Sequence, residues 1–158
     1  MSGGPIESIA RAIHERWRSE QISAGKSAPL WEELDESRKE SSRDHARDIP
    51  AKLHLVGCDI APLREREAKD FAFTDEEIET LAAAEHLRWM RERVADGWTA
   101  GDKDATRKTT PYLVPFEQLP ADIAEYDRIF VREIPSLLVL AGLKVARPPA
   151  TSGSVRAD

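Results

Sequence analysis

The sequence predicts a mainly α fold with short β-strands, built as a pseudo-twofold tandem pair of helical repeats. Three observations lead there. Residues 6–25 match residues 78–97 at an offset of 72, with nine of the twenty positions identical, so the chain repeats itself. Within each copy apolar residues recur at steps of three and four, the period of an amphipathic helix. Glycine stands where each of those stripes ends, as Gly25 and Gly97.

Taken in order, the first copy opens with the stripe Ile6, Ile9, Ile13 and Trp17, and Pro5 suits the first helical turn. A second block, Trp31-Glu-Glu-Leu34, precedes a further helix whose apolar positions are Ala46, Ile49, Leu53 and Val56. That stripe crosses Pro50, so either a kink or a fresh helical turn is expected there. The segment 59–73 then connects the copies, and its run Arg64-Glu-Arg-Glu-Ala-Lys-Asp70 reads as a solvated surface.

The second copy begins with a capping-box pattern, Thr74-Asp-Glu-Glu77, followed by Ile78, Leu81, Glu85 and Trp89. Its later half aligns at an offset of 85: Phe116 with Trp31, Leu119 with Leu34, Arg128 with Arg43, Arg132 with Arg47 and Ile134-Pro135 with Ile49-Pro50. The change of offset, 85 − 72 = 13, is an insertion between Gly97 and Phe116. Phe130, Ile134, Leu138 and Ala141 continue the second helix. The expected organisation is 5–58 as one repeat, 59–73 as linker, 74–147 as the second repeat and 148–158 as a disordered tail, since that tail has Pro148-Pro149 and Thr151-Ser-Gly-Ser. Both tryptophans of the stripes, Trp17 and Trp89, are expected in the core, with Trp31 and Phe116 as hydrophobic plugs.

Composition narrows the function. The 158 residues carry 23 Lys and Arg against 29 Asp and Glu, a net charge of −6, which disfavours duplex nucleic acid as a partner. No apolar run approaches membrane-spanning length, and the N-terminus lacks a secretory pattern, so a soluble cytoplasmic protein is expected. Cys58 has no companion for a disulfide, which agrees with a reducing compartment. His-Glu-x-x-His, Gly-x-Ser-x-Gly and P-loop patterns are absent, and the four histidines lack metal-ligand spacing, so neither an enzyme nor a cofactor is expected.

The motifs Glu85-His-Leu-Arg-Trp89, Asp96-Gly-Trp98, Thr110-Pro-Tyr-Leu-Val-Pro-Phe116, Arg132-Glu-Ile-Pro135 and Ala141-Gly-Leu143 strongly resemble the RyR domain. This is the repeat of the cytoplasmic shell of animal ryanodine receptors, also found in bacterial and phage proteins. Pro29-Leu-Trp-Glu-Glu-Leu34 and Ile49-Pro-Ala-Lys-Leu53 look like the divergent partner that precedes it. The resemblance covers about residues 5–147. It implies a helical tandem pair without known catalysis, associated in bacteria with nucleotide signalling and immunity, and a cleft between copies that accepts an adenine nucleotide. It admits a homodimer or an upstream effector domain as partner. The competing reading is a structural or protein-interaction domain with no small-molecule ligand.

One asymmetric site is expected, because only Gly97-Trp98 has the Gly-Trp turn and the first copy has Gly25-Lys26. Trp98 reads as a stacking platform for a base, or as a cover on the end of the core. Lys103, Arg107 and Lys108, in an insertion rich in hydroxyls, read as a phosphate cradle or as a solvated loop whose Asp102 and Asp104 offset the charge. Tyr112 is expected to close the loop side. Arg16 and Arg88 either reach a ligand from the helix walls or pair with Glu20 and Glu92 four residues on. His14 and His86, one position off the stripe, either bond a neighbouring helix or line the cleft.

Overall fold

The computed structural model describes residues 4–64 and 71–147. Most of the charged run after Arg64, and the tail from residue 148, lie outside them. The fold is mainly α with short strands, as the periodicity predicts. In order the elements are α1 (Gly4–Ser23), α2 (Glu36–Arg47), α3 (Ile49–Leu55), β1 (Asp59–Pro62), α4 (Asp75–Ala95), β2 (Thr99–Ala100), β3 (Thr109–Thr110), α5 (Ala121–Arg132), α6 (Ile134–Leu140) and β4 (Leu143–Ala146). Short 3₁₀ turns, Trp31–Glu33 and Phe116–Gln118, precede α2 and α5. Among the described residues no helix is long and apolar enough to cross a membrane.

Local chemistry accounts for the boundaries. Thr74 and Glu77 cap α4 reciprocally: the Glu77 N–H donates to Thr74 Oγ1 at 3.1 Å and the Thr74 N–H to Glu77 Oε1 at 2.9 Å. Helices α1 and α4 stop at Gly25 and Gly97, whose φ values of +81° and +91° a side chain would strain. At Pro50 and Pro135 the chain starts fresh helices rather than kinking old ones. Each proline occupies the second position of α3 or α6, where the missing N–H has no intrahelical partner to lose.

Two compact units result, residues 1–71 with 134–158, and residues 72–133. In the first, α1 packs on α2 and on α6. Its core is Ile9, Ala10, Ile13, Trp31, Ala46, Ile49, Leu53, Ile134, Leu137 and Leu138. Strands β1 and β4 pair antiparallel, and Ile60 lies opposite Val145, its own counterpart at the offset of 85. In the second unit α4 packs on α5 around Ile78, Leu81, Ala82, Ala124, Phe130 and Val131. The two copies of the sequence and the two compact units are thus different partitions of the chain, because α6 and β4 close the first unit's core.

Trp31 is buried, as a plug should be, and Phe116 is half-buried. The expectation of two core tryptophans fails. Trp17 is 43% exposed and Trp89 is half-buried. Steps of four residues advance a helix by about 40° beyond a full turn, so a stripe from Ile9 through Ile13 reaches Trp17 at the margin of the buried face.

Candidate functional site

The repeated His-x-Arg-Trp element sets the geometry of each unit. Buried His86 on α4 donates from Nε2 to the carbonyl of Val114 at 2.7 Å, pinning the end of the insertion to the helix. A carbonyl only accepts, so Nε2 carries the proton. Nδ1 then faces Asp127 Oδ2 on α5 at 3.8 Å. The ring stacks on Trp89, one turn on, with centroids 5.5 Å apart and an interplanar angle of 17°. The first copy repeats this: His14 Nε2 donates to the Pro29 carbonyl at 2.8 Å, and Trp17 lies 5.6 Å away.

Salt links between the helices recur with equal fidelity. Arg43 on α2 binds Glu7 on α1 at 2.8 Å, and Arg128 on α5 binds Glu79 on α4 at 2.6 Å. Along α2 Arg47 meets Glu40 at 2.7 Å, and along α5 Arg132 meets Glu125 at 3.0 Å. Hydrogen bonding from Arg43 holds the Glu7 carboxyl below the ordinary range, and Arg132 does the same to Glu125.

Above the His86–Trp89 stack lies an open cavity of about 360 Å³. His86, Trp89, Lys103, Tyr112, Ile123, Tyr126 and Asp127 line it. The spacing 86 and 89 puts two rings on one face of α4, and 123, 126 and 127 likewise share one face of α5. Lys103 and Tyr112 come from the insertion. This loop is ordered by its own bonds: Thr99 N–H donates to the Lys108 carbonyl at 3.0 Å, and Gly101 N–H to the Thr110 carbonyl at 3.1 Å. Lys108 carries a φ of +59° inside it. The cavity joins an aromatic lining, one ammonium and one carboxylate, a set suited to holding a planar ring and orienting its polar edge.

Of the site residues expected from sequence, the structure brings Lys103 and Tyr112 together here. Trp98 is half-buried, and the Arg93 guanidinium lies over its ring at 5.2 Å and over that of Trp89 at 5.3 Å. Its Nε1 donates to Asp96 at 3.3 Å. Lys108 donates to the Asp96 carbonyl at 2.9 Å. Arg107 is 82% exposed and lies 3.7 Å from Asp104, whose Oδ1 also accepts from the N–H groups of Thr106 and Arg107. The loop's donors therefore turn inward on Asp104 rather than converging as a cradle.

Both helix arginines follow the intrahelical alternative. Arg16 pairs with Glu20 at 3.2 Å. Arg88 binds Glu85 at 2.9 Å and Glu92 at 2.7 Å, and although burial lowers the pKa of its guanidinium, these carboxylates raise it above the usual value. Sequence reasoning had cleft lining as one alternative for His86 and missed Trp89, Ile123, Tyr126 and Asp127. For α5 the copies gave no signal: Tyr126, standing where the first copy has Ser41, is one of many differences between α2 and α5.

Against known proteins, no curated protein matches the chain. The family model described as the RyR domain matches residues 73–147, a span that takes in α4, the insertion, α5, α6 and β4. By that match residues 73–147 belong to the RyR domain family, a ryanodine receptor repeat-like module.

Proposed function

We propose that the chain is a non-enzymatic ligand-binding module for a nucleotide or nucleotide-derived signal, adenine-containing by preference, acting in the cytoplasm as sensor or sequestering protein. The observation that carries this reading is the aromatic cavity of the RyR region, with Lys103 at its loop side. A base stacks on Trp89 between Tyr112 and Tyr126. Lys103 offsets a phosphate, and Asp127 accepts from an exocyclic amine or a sugar hydroxyl. The stacking platform is thus Trp89, and Trp98 supports it through the shared Arg93.

Melting the protein against mono-, di- and cyclic nucleotides tests the reading, since a ligand at 100 times its dissociation constant stabilises a fold by about 2.7 kcal/mol. An adenine nucleotide should raise the melting temperature. Stacking is worth roughly 1–3 kcal/mol, so Trp89→Leu should weaken binding by calorimetry about 5- to 150-fold. Lys103→Ala should weaken phosphorylated ligands more than the nucleoside. A panel that shifts nothing overturns the reading in favour of a structural or interaction domain.

A further inference from the structure

The first unit has a cavity of its own, of about 410 Å³, lined by His14, Trp17, Pro29, Leu34, Arg38, Ser41 and Ser42. Position by position it is the counterpart of the cavity on α4 and α5. His14 and Trp17 stand for His86 and Trp89 at the offset of 72, and Arg38, Ser41 and Ser42 stand for Ile123, Tyr126 and Asp127 at the offset of 85. The aromatic floor is kept while the opposite wall changes its chemistry. An aliphatic side chain becomes a guanidinium, a phenol becomes a hydroxyl, and the carboxylate becomes a hydroxyl.

Arg38 is set apart from its neighbours. Arg11, Arg16, Arg18, Arg43 and Arg47 of this unit each bind a carboxylate. The guanidinium of Arg38 makes no ion pair among the described residues, and its backbone N–H donates to Asp35 Oδ1 at 2.8 Å. Its spacing to Ser41 and Ser42, three and four residues on, puts all three on one face of α2. Among the described residues no carboxylate lines this cavity. Trp17, too exposed for a core residue, supplies the apolar platform.

We propose that this cavity is a second ligand site, which takes an oxyanion carried on a planar apolar ring. The ring lies on Trp17, and the oxyanion is held by the Arg38 fork and the hydroxyls of Ser41 and Ser42. The shared chemistry covers phosphomonoesters and carboxylates. It selects against cationic rings, which the Asp127 cavity tolerates.

Calorimetric titration of the whole chain with phenyl phosphate, benzoate, inorganic phosphate and benzyl alcohol tests this. Saturable binding of phenyl phosphate or benzoate is expected, and the stronger of the two identifies the anion. Inorganic phosphate and benzyl alcohol should bind about tenfold more weakly or worse, since each lacks one half of the recognition. In a Lys103→Ala background, which removes the ammonium of the other cavity, Arg38→Ile with Ser42→Asp, the residues of the other copy, should weaken the aromatic anion by about tenfold or more. Arg38→Ile alone, on an exposed position, carries the test if the double variant does not fold. Absence of aromatic-anion binding in the Lys103→Ala protein, or persistence of it when Arg38→Ile is added there, would overturn the proposal.

Discussion

Trp17 and Trp89 share a sequence position within their copies and differ in how their rings are covered. The Trp89 ring has His86 on one side and the Arg93 guanidinium near its face, while Trp17 is 43% exposed. Truncating a fully buried large aromatic costs about 3–5 kcal/mol. Trp89→Ala, removing a half-buried ring, should cost about 1–2 kcal/mol in chemical denaturation, and Trp17→Ala less than about 1 kcal/mol, by scaling with the area withdrawn from water. Leu81, completely buried, sets the contrast at about 2–5 kcal/mol for Leu81→Ala. A loss for Trp17→Ala as large as that of Leu81→Ala would put its ring back in the core. Residue identity announced these tryptophans as apolar, but exposure depends on the neighbours that arrive from distant sequence.

Elements were more legible than their partners. Helix α4 starts where the Thr74–Glu77 pattern puts it, because that cap is made by residues three apart and needs nothing from elsewhere. Thr74→Ala should therefore cost about 1 kcal/mol of stability, read as a lower denaturation midpoint with an unchanged slope. Gly97→Ala should also destabilise by about 1 kcal/mol, because φ is +91° there although the space is open. A neutral Gly97→Ala would mean that the turn relaxes. The insertion was legible as an insertion, from the change of offset alone. Its internal order was not, since Asp104 accepting from Thr106 and Arg107 is a choice among several local hydroxyls and carboxylates.

For the molecule as a whole, the repeated ion pairs make stability depend on pH in a definite direction. The carboxyls of Glu7 and Glu125 are held below their ordinary values in the folded protein, mainly by hydrogen bonds from Arg43 and Arg132. A depressed folded pKa means that the unfolded chain binds protons first, so the contribution is complete above the ordinary glutamate range and is lost as pH falls through the folded value. The melting temperature should accordingly drop on acidification below about pH 4.5. Glu7→Gln with Glu125→Gln should flatten that fall, and an equal slope in both proteins would remove these pairs as its cause. What the sequence alone determined about this protein is the set of features that depend on spacing within a copy: the helices, their caps and stops, an interruption at Pro50 and Pro135 whose form it left open, and the family of residues 73–147. Tertiary structure alone decided that α6 closes the first unit's core, that Trp89 rather than Trp98 lines the cavity, and that Lys103 rather than Arg107 or Lys108 joins it there. The physical reason is range: a helical period and a cap are local, whereas burial and the choice of ion partner are settled among groups that only packing brings within reach.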